Sequence, residues 1–234
     1  MNNETDTSEL PGDPPLTVHW RRSAQARRLS LRVSGLDGKI TLTLPRRAAR
    51  SHGHAFLNER AGWLRSALAA LPGQCTVTHG AEIPVEGAAL NITPAPVRSA
   101  RTEGDRLLVP AKAPAGPRVL AYLKLRARLR IDERVAHHAA TLGRAAGRIT
   151  LRDPRSRWGS CSSAGDLMFS WRLIMAPPEV LDYVVAHEVA HLAQMNHSPA
   201  FWAEVARLLP GYQAPRGWLR AQGASLHRFR FTPA

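Results

Sequence analysis

The sequence predicts an α+β fold. Apolar and polar residues alternate in short runs over residues 16–112, as in half-buried strands. Residues 118–142 keep apolar positions at helical spacing, and residues 176–194 are apolar nearly all round, the mark of a helix buried at the centre of a domain. The expected organisation is a disordered tail at 1–15, a β-rich N-terminal part at 16–112 and a second domain at 113–234.

The tail is read from Asn, Thr, Ser, Asp and proline without periodicity. Three antiparallel strands follow, Thr17-Val18-His19-Trp20, Leu29-Ser30-Leu31-Arg32-Val33 and Lys39-Ile40-Thr41-Leu42-Thr43-Leu44, the last two joined by a Leu36-Asp37-Gly38 turn. Pro45 stops the third. Residues 54–71 read as one amphipathic helix closed by Pro72-Gly73. Further strands are expected at 75–79, 81–85, 90–93, 97–101 and 106–109. The helix at 118–142 pairs an apolar face (Val119, Leu123, Ala127, Ile131, Val135) with a face of Lys and Arg, and Gly143 and Gly147 end it. Strands at 148–152 and 167–171 then enclose a loop through 157–161. Ala176-Pro177-Pro178-Glu179 opens the central helix, with proline where its missing N–H is harmless and an acid at the positive helix end.

At 234 residues the chain can bury a core without covalent staples. Cys75 and Cys161 form no CxxC pair, so neither a disulfide framework nor a cysteine zinc site is indicated. No secretory leader pattern and no apolar run near ~18 residues is found, so a soluble cytoplasmic protein is expected. The net charge of +14 is carried mostly by arginine, and the acids Glu4, Asp6, Glu9 and Asp13 lie in a segment without Lys or Arg. A body this basic suits polyanionic partners, nucleic acid, nucleotides or acidic protein surfaces, or else is an ordinary arginine-rich surface; no aromatic-interleaved RNA motif is present.

The chemistry concentrates in His187-Glu188-Val189-Ala190-His191. Histidines four apart lie about 40° apart around a helix axis, so both imidazoles reach one ion, and the glutamate falls on the neighbouring flank. That is the layout of a zinc-dependent hydrolase: two nitrogen ligands, a carboxylate to handle the proton of a water, and a third ligand from elsewhere. With ten His and ten Glu in the chain the motif arises by chance about 0.02 times. The plain alternative, histidines hydrogen-bonded in a core, is costly, because two imidazoles and a carboxylate would be buried without a metal. Asn196-His197-Ser198-Pro199 reads as a helix start with Ser198 as N-cap, a break that turns His197 back toward the pair. His197 is the preferred third ligand and Glu204, on a helix expected at 201–209, the rival. His137, His138 and His227 have ordinary surface explanations.

With these residues the chain resembles the YgjP-like metallopeptidases, kin of the SprT-like and WLM proteases, from about residue 20 to 226. The resemblance rests on Arg157-Trp158-Gly159-Ser160-Cys161, on Trp171-Arg172-Leu173-Ile174-x-Ala-Pro, on Asp182-Tyr183-Val184-Val185-x-His-Glu-x-Ala-His-Leu, and on Asn196-His197-Ser198 followed by Phe201-Trp202. Val189 departs from the leucine more usual in the family. The resemblance implies a minimal zincin-like core, with a central HExxH helix, a small antiparallel sheet and flanking helices. It also implies one zinc per chain on His187, His191 and His197, with Glu188 as the catalytic carboxylate.

The loop at 157–161 has two readings. Either it is a tight turn packing Trp158 under the site, or Arg157, Trp158, Ser160 and Arg172 line a substrate cleft. Tyr183, Tyr212 and Arg172 are the candidates for a second oxyanion donor. The function expected is a metallopeptidase acting on protein or peptide, with an extended substrate pairing along the strand at 167–171. Two alternatives are a nucleoside-triphosphate pyrophosphatase, which no phosphate-cradling Gly-rich loop supports, and a nucleic-acid-associated protease acting on DNA-bound proteins, its basic helix at 118–142 on the phosphates.

Overall fold

A computed structural model describes residues 6–35, 37–71 and 73–232. The chain divides into two units, Met1–Gly73 and Gln74–Ala234, a boundary well before the one expected at 112/113.

In the first unit β1 (Asp6–Leu10), β2 (Leu16–Ser23), β3 (Ser30–Val33) and β4 (Ile40–Pro45) form a sheet of order β1-β2-β4-β3. The pairs β1/β2 and β3/β4 are antiparallel, whereas β2/β4 is parallel, which corrects the all-antiparallel expectation. Alternation sets which face a residue takes and is silent about strand direction. Residues 6–10 of the expected tail are strand, because β2 supplies a full ladder and the Trp20 indole N–H donates to Ser8 Oγ at 2.7 Å. Arg65 then holds the next segment by donating to the Pro14 carbonyl oxygen at 2.9 Å. The tail expected over residues 1–5 lies outside the described residues, as do Leu36 of the turn and Pro72 of the helix stop.

The single helix expected at 54–71 is two, α1 (Arg50–Glu59) and α2 (Ala61–Ala69), because Arg60 leaves helical dihedrals at φ −95°, ψ 5°. Leu57 and Leu64 from these helices close the core formed by Val18, Trp20, Ile40, Leu42 and Leu44. Gly53 is required there, since a Cβ would stand 2.4 Å from the Trp20 ring.

The second unit starts with β5 (Cys75–Thr76), then β6 (Glu82–Val85), β7 (Ala88–Ala95), β8 (Arg101–Glu103) and β9 (Arg106–Pro110), the last four in order β6-β7-β9-β8. The antiparallel, parallel, antiparallel plan of the first sheet is repeated. Glu86 and Gly87 turn β6 into β7 with φ of 49° and 79°, the two-residue geometry that matches strand twist. Helix α3 (Ala115–Leu142) buries Val119, Leu123, Ala127, Ile131 and Val135 as its spacing predicts, and Gly143 ends it in the left-handed region at φ 71°.

A smaller sheet follows, β10 (Ile149–Arg152), β11 (Gly159–Cys161) and β12 (Leu167–Ser170), in order β10-β12-β11. It is mixed: β10 runs parallel to β12 and β11 antiparallel to it. The strand expected to receive substrate, β12, is the middle one, so both its edges are already hydrogen-bonded. β10 and β11 are the two edge strands of this sheet, and β11 is the one that packs on the helix carrying Glu188.

A 3-10 turn at Trp171–Met175 leads into α4 (Pro178–Ala190), then α5 (Pro199–Leu208), α6 (Gln213–Gln222) and a last strand β13 (Phe229–Arg230) beside β5. α4 is buried almost all round, through Val180, Leu181, Val184, Val185, Ala186, Val189 and Ala190, and packs against α3, α5, α6 and the sheet. Burying each such aliphatic side chain is worth about 1.5–3 kcal/mol, which fixes the rotation of α4 about its axis. Among the described residues no helix is long and apolar enough to cross a membrane. The architecture is mixed α+β.

Candidate metal centre

His187 lies in the last turn of α4 and His191 caps it, still in helical conformation at φ −64°, ψ −20°. Beyond, the Asn196 side chain accepts from the Ser198 N–H at 3.3 Å and Ser198 Oγ accepts from the Phe201 N–H at 3.4 Å, so α5 starts at the expected N-cap. This break returns His197 to the other two histidines. One ring nitrogen from each of His187, His191 and His197 lies within 4.8 Å of the others. Glu204, the rival third ligand, is instead paired with Arg207 at 2.8 Å.

The donor set fits a first-row divalent metal. The Nε2 atoms of His187 and His197 are 3.1 Å apart, close to the ~3.3 Å edge of a tetrahedron with metal–nitrogen bonds of about 2.05 Å. His191 Nδ1 donates to the Gln194 carbonyl oxygen at 3.0 Å, which leaves Nε2 with a free lone pair. Burial, with His191 and His197 adding to it, holds the His187 pKa at about 4, so the ring is neutral and ready to ligate. Phe201 stacks on His191 with ring centres 4.5 Å apart and meets His187 edge-on.

Glu188 is only 6% exposed. Burial raises its pKa to about 7 against the opposing pull of Arg157, and a cation bound alongside draws it down again. The carboxylate is seated by β11: a Cβ on Gly159 would stand 2.6 Å from both Cγ and Oε1 of Glu188. The Gly159-Ser160-Cys161 strand therefore has a role that the sequence left open, since only glycine lets this edge strand pass so close to Glu188. Gly159→Ala is expected to keep the metal and lower hydrolysis about 100-fold, the usual cost of a 1 Å displacement. Metal content and turnover measured together check this, and unaltered turnover would refute it.

The other candidates separate. Arg157 is exposed and acts on Glu188 through its charge. Trp158 packs on His227 and against Gly223. Ser160 pairs across with Met168, on the opposite face from Gly159.

Arg172 is a correction. It is 8% exposed, holds Asp153 through two bonds of 2.7 and 3.0 Å and donates to the carbonyls of Leu226 and Phe229. Its guanidinium ties the loop after β10 to the C-terminal segment and is not available to a substrate.

Tyr183 is buried, which raises its hydroxyl pKa, although Arg216 opposes the shift. Its ring stacks on Tyr212 at 6.2 Å, and Tyr212 stacks on Trp202 at 5.6 Å. Trp202 in turn lies 5.7 Å from His187 and 5.9 Å from His197, so an aromatic wall flanks the centre. Arg216 reaches that wall from α6, a helix and residue that sequence reasoning missed because nothing local links position 216 to the histidines.

Two surface assignments also fail. His138 is fully buried and bonded to Asp182 at 2.7 Å, and His227 is half-buried, with burial holding its pKa at about 4. The basic face of α3 is largely engaged within the chain, Arg126 and Arg130 with Glu86, Arg128 with Asp132 and Arg134 with Asp182.

No curated protein is a significant match. Among solved structures, the crystal structure of the metallopeptidase zymogen of Pyrococcus abyssi abylysin is similar at 24% identity, covering 40% of this chain and 92% of that one, with a TM-score of 0.36. The model of the YgjP-like metallopeptidase domain matches residues 27–222, most of the chain, and the chain belongs to the YgjP-like family.

Proposed function

We propose that the chain is a zinc-dependent peptidase in which His187, His191 and His197 hold the ion and Glu188 is the general base. The observation that carries this is the convergence of three imidazole nitrogens beside a carboxylate buried against a glycine of an edge strand. Family membership supports the coarser statement, a metal-dependent hydrolase acting on protein or peptide.

When bound, zinc lowers the pKa of a water toward about 7 and shares the charge that develops on a substrate oxygen. Glu188 takes a proton from the attacking water and returns it to the leaving amine, work that suits a buried carboxylate whose pKa lies near the working pH, where it can both accept and give up a proton. The free edge of β11 accepts an extended peptide by main-chain hydrogen bonds, the place first expected of β12. Phe201, Trp202 and Tyr183 pack against His187, while His197 is exposed and leaves the centre open to a substrate.

The test is metal analysis of the purified chain with parallel assays on unfolded protein and on nucleoside triphosphates. About one zinc per chain and cleavage of protein alone are expected. Turnover of nucleotides without proteolysis would replace this reading with phosphoanhydride hydrolysis.

A further inference from the structure

The arginines of the second unit that approach acids are matched: Arg134 takes Asp182, Arg172 takes Asp153 and Arg207 takes Glu204. Arg216 is half-buried and has no acid partner among the described residues. Its guanidinium carbon lies 4.3 Å from the centre of the Trp202 ring, the ring that packs on His187 and His197. A guanidinium lying over an aromatic ring keeps its N–H edge for a ligand, and that edge is a planar fork matched to a carboxylate. Trp202 also stacks on Tyr212, which stacks on Tyr183, so Arg216 sits on the aromatic wall that flanks the centre. The described residues thus place an arginine without an acid partner on the aromatic wall beside the three histidines.

We propose that Arg216 is a specificity-determining residue that receives a carboxylate of the substrate beside the scissile bond. This rests on the peptidase reading above. An acidic side chain and a free C-terminal carboxylate share this chemistry, and they differ in where the cut falls, within a chain or at its end. A purely packing role for Arg216 on Trp202 would give no preference between a glutamate and a glutamine in the same peptide.

The experiment uses the full zinc-loaded chain carrying Glu188→Gln, so that labelled peptides bind without turnover, read by fluorescence anisotropy. Three peptides of one sequence are compared: one with an internal Glu and an amidated end, one with Gln in its place, and one with Gln and a free C-terminal carboxylate. The expected result is at least about tenfold tighter binding of one carboxylate peptide over the amidated Gln peptide, the worth of one charge-assisted pair. Whichever carboxylate gives the gain identifies the source. Adding Arg216→Met should bring that ratio near one, and Arg216→Lys, which keeps the charge and loses the fork, should leave an intermediate ratio. Zinc content and thermal melting confirm that each variant is folded, and the peptide comparison on the chain with Arg216 intact needs no further variant.

Equal binding of all three peptides, or a ratio unchanged by Arg216→Met, overturns the assignment. Cleavage of the same peptides by the unsubstituted chain is measured separately. No cleavage removes the peptidase reading and this inference with it, whereas cleavage without carboxylate preference removes this inference alone.

Discussion

Glu188→Gln is expected to lower hydrolysis by about 10²–10⁴-fold, the usual contribution of a positioned general base, with bound zinc unchanged. The side chains are isosteric, and the site admits little rearrangement because Glu188 is 6% exposed and wedged against Gly159. An amide keeps the shape and cannot take a proton. None of the three imidazole nitrogens is altered, so metal content should match that of the unsubstituted chain. His191→Ala gives the contrast: it removes a ligand and the Nδ1–H bond to Gln194, so zinc and activity fall together. Turnover by the Gln variant within about tenfold of the original would refute the role given to Glu188.

The largest expected loss of stability comes from Asp182→Asn, about 3 kcal/mol or more at neutral pH. Asp182 on α4 accepts from Arg134 at 2.6 and 3.0 Å and from His138 Nε2 at 2.7 Å, both on α3. Asparagine keeps one acceptor oxygen but turns the other into an N–H donor facing Arg134 and removes the charge, in a clamp where His138 has no exposure to water. Burial pushes the Asp182 carboxyl up, and the hydrogen bonds and charges of His138 and Arg134 together hold it below its ordinary value. A carboxyl lowered in the folded state stabilises the fold above its unfolded pKa, about 3.9, and loses that contribution as pH falls through the lowered folded value. Denaturant unfolding should therefore give a difference between the two chains that is full from pH 5 to 7 and shrinks below about pH 4. A difference that persists undiminished into strong acid would mean that the charge of Asp182 is not its source.

What the sequence makes legible follows the range of the interactions. His187, Glu188, His191 and His197 lie within eleven residues, and the Ser198 cap that turns the chain is local as well, so the centre can be read directly. Gly159 is opaque for the opposite reason: it acts on a carboxylate 29 positions away, and nothing nearby distinguishes it from a turn glycine. Arg172 looks like a cleft residue because it stands next to the motif helix, while its partners Asp153, Leu226 and Phe229 lie 19 residues before it and 54 and 57 residues after it. Strand direction is equally hidden. Alternation recovers β2, β3 and β4, but the parallel pairing of β2 with β4 depends on which neighbour each strand finds. β1 escapes notice because its sequence is polar and its order comes from β2.

The same four-strand plan occurs twice, as β1-β2-β4-β3 and as β6-β7-β9-β8, and only the second copy continues into the helix that packs on α4. The three clustered histidines, β11 and the Asp182 clamp all follow residue 73. The repeated sheet is therefore separate along the sequence from the histidine cluster, which is confined to residues 187–197.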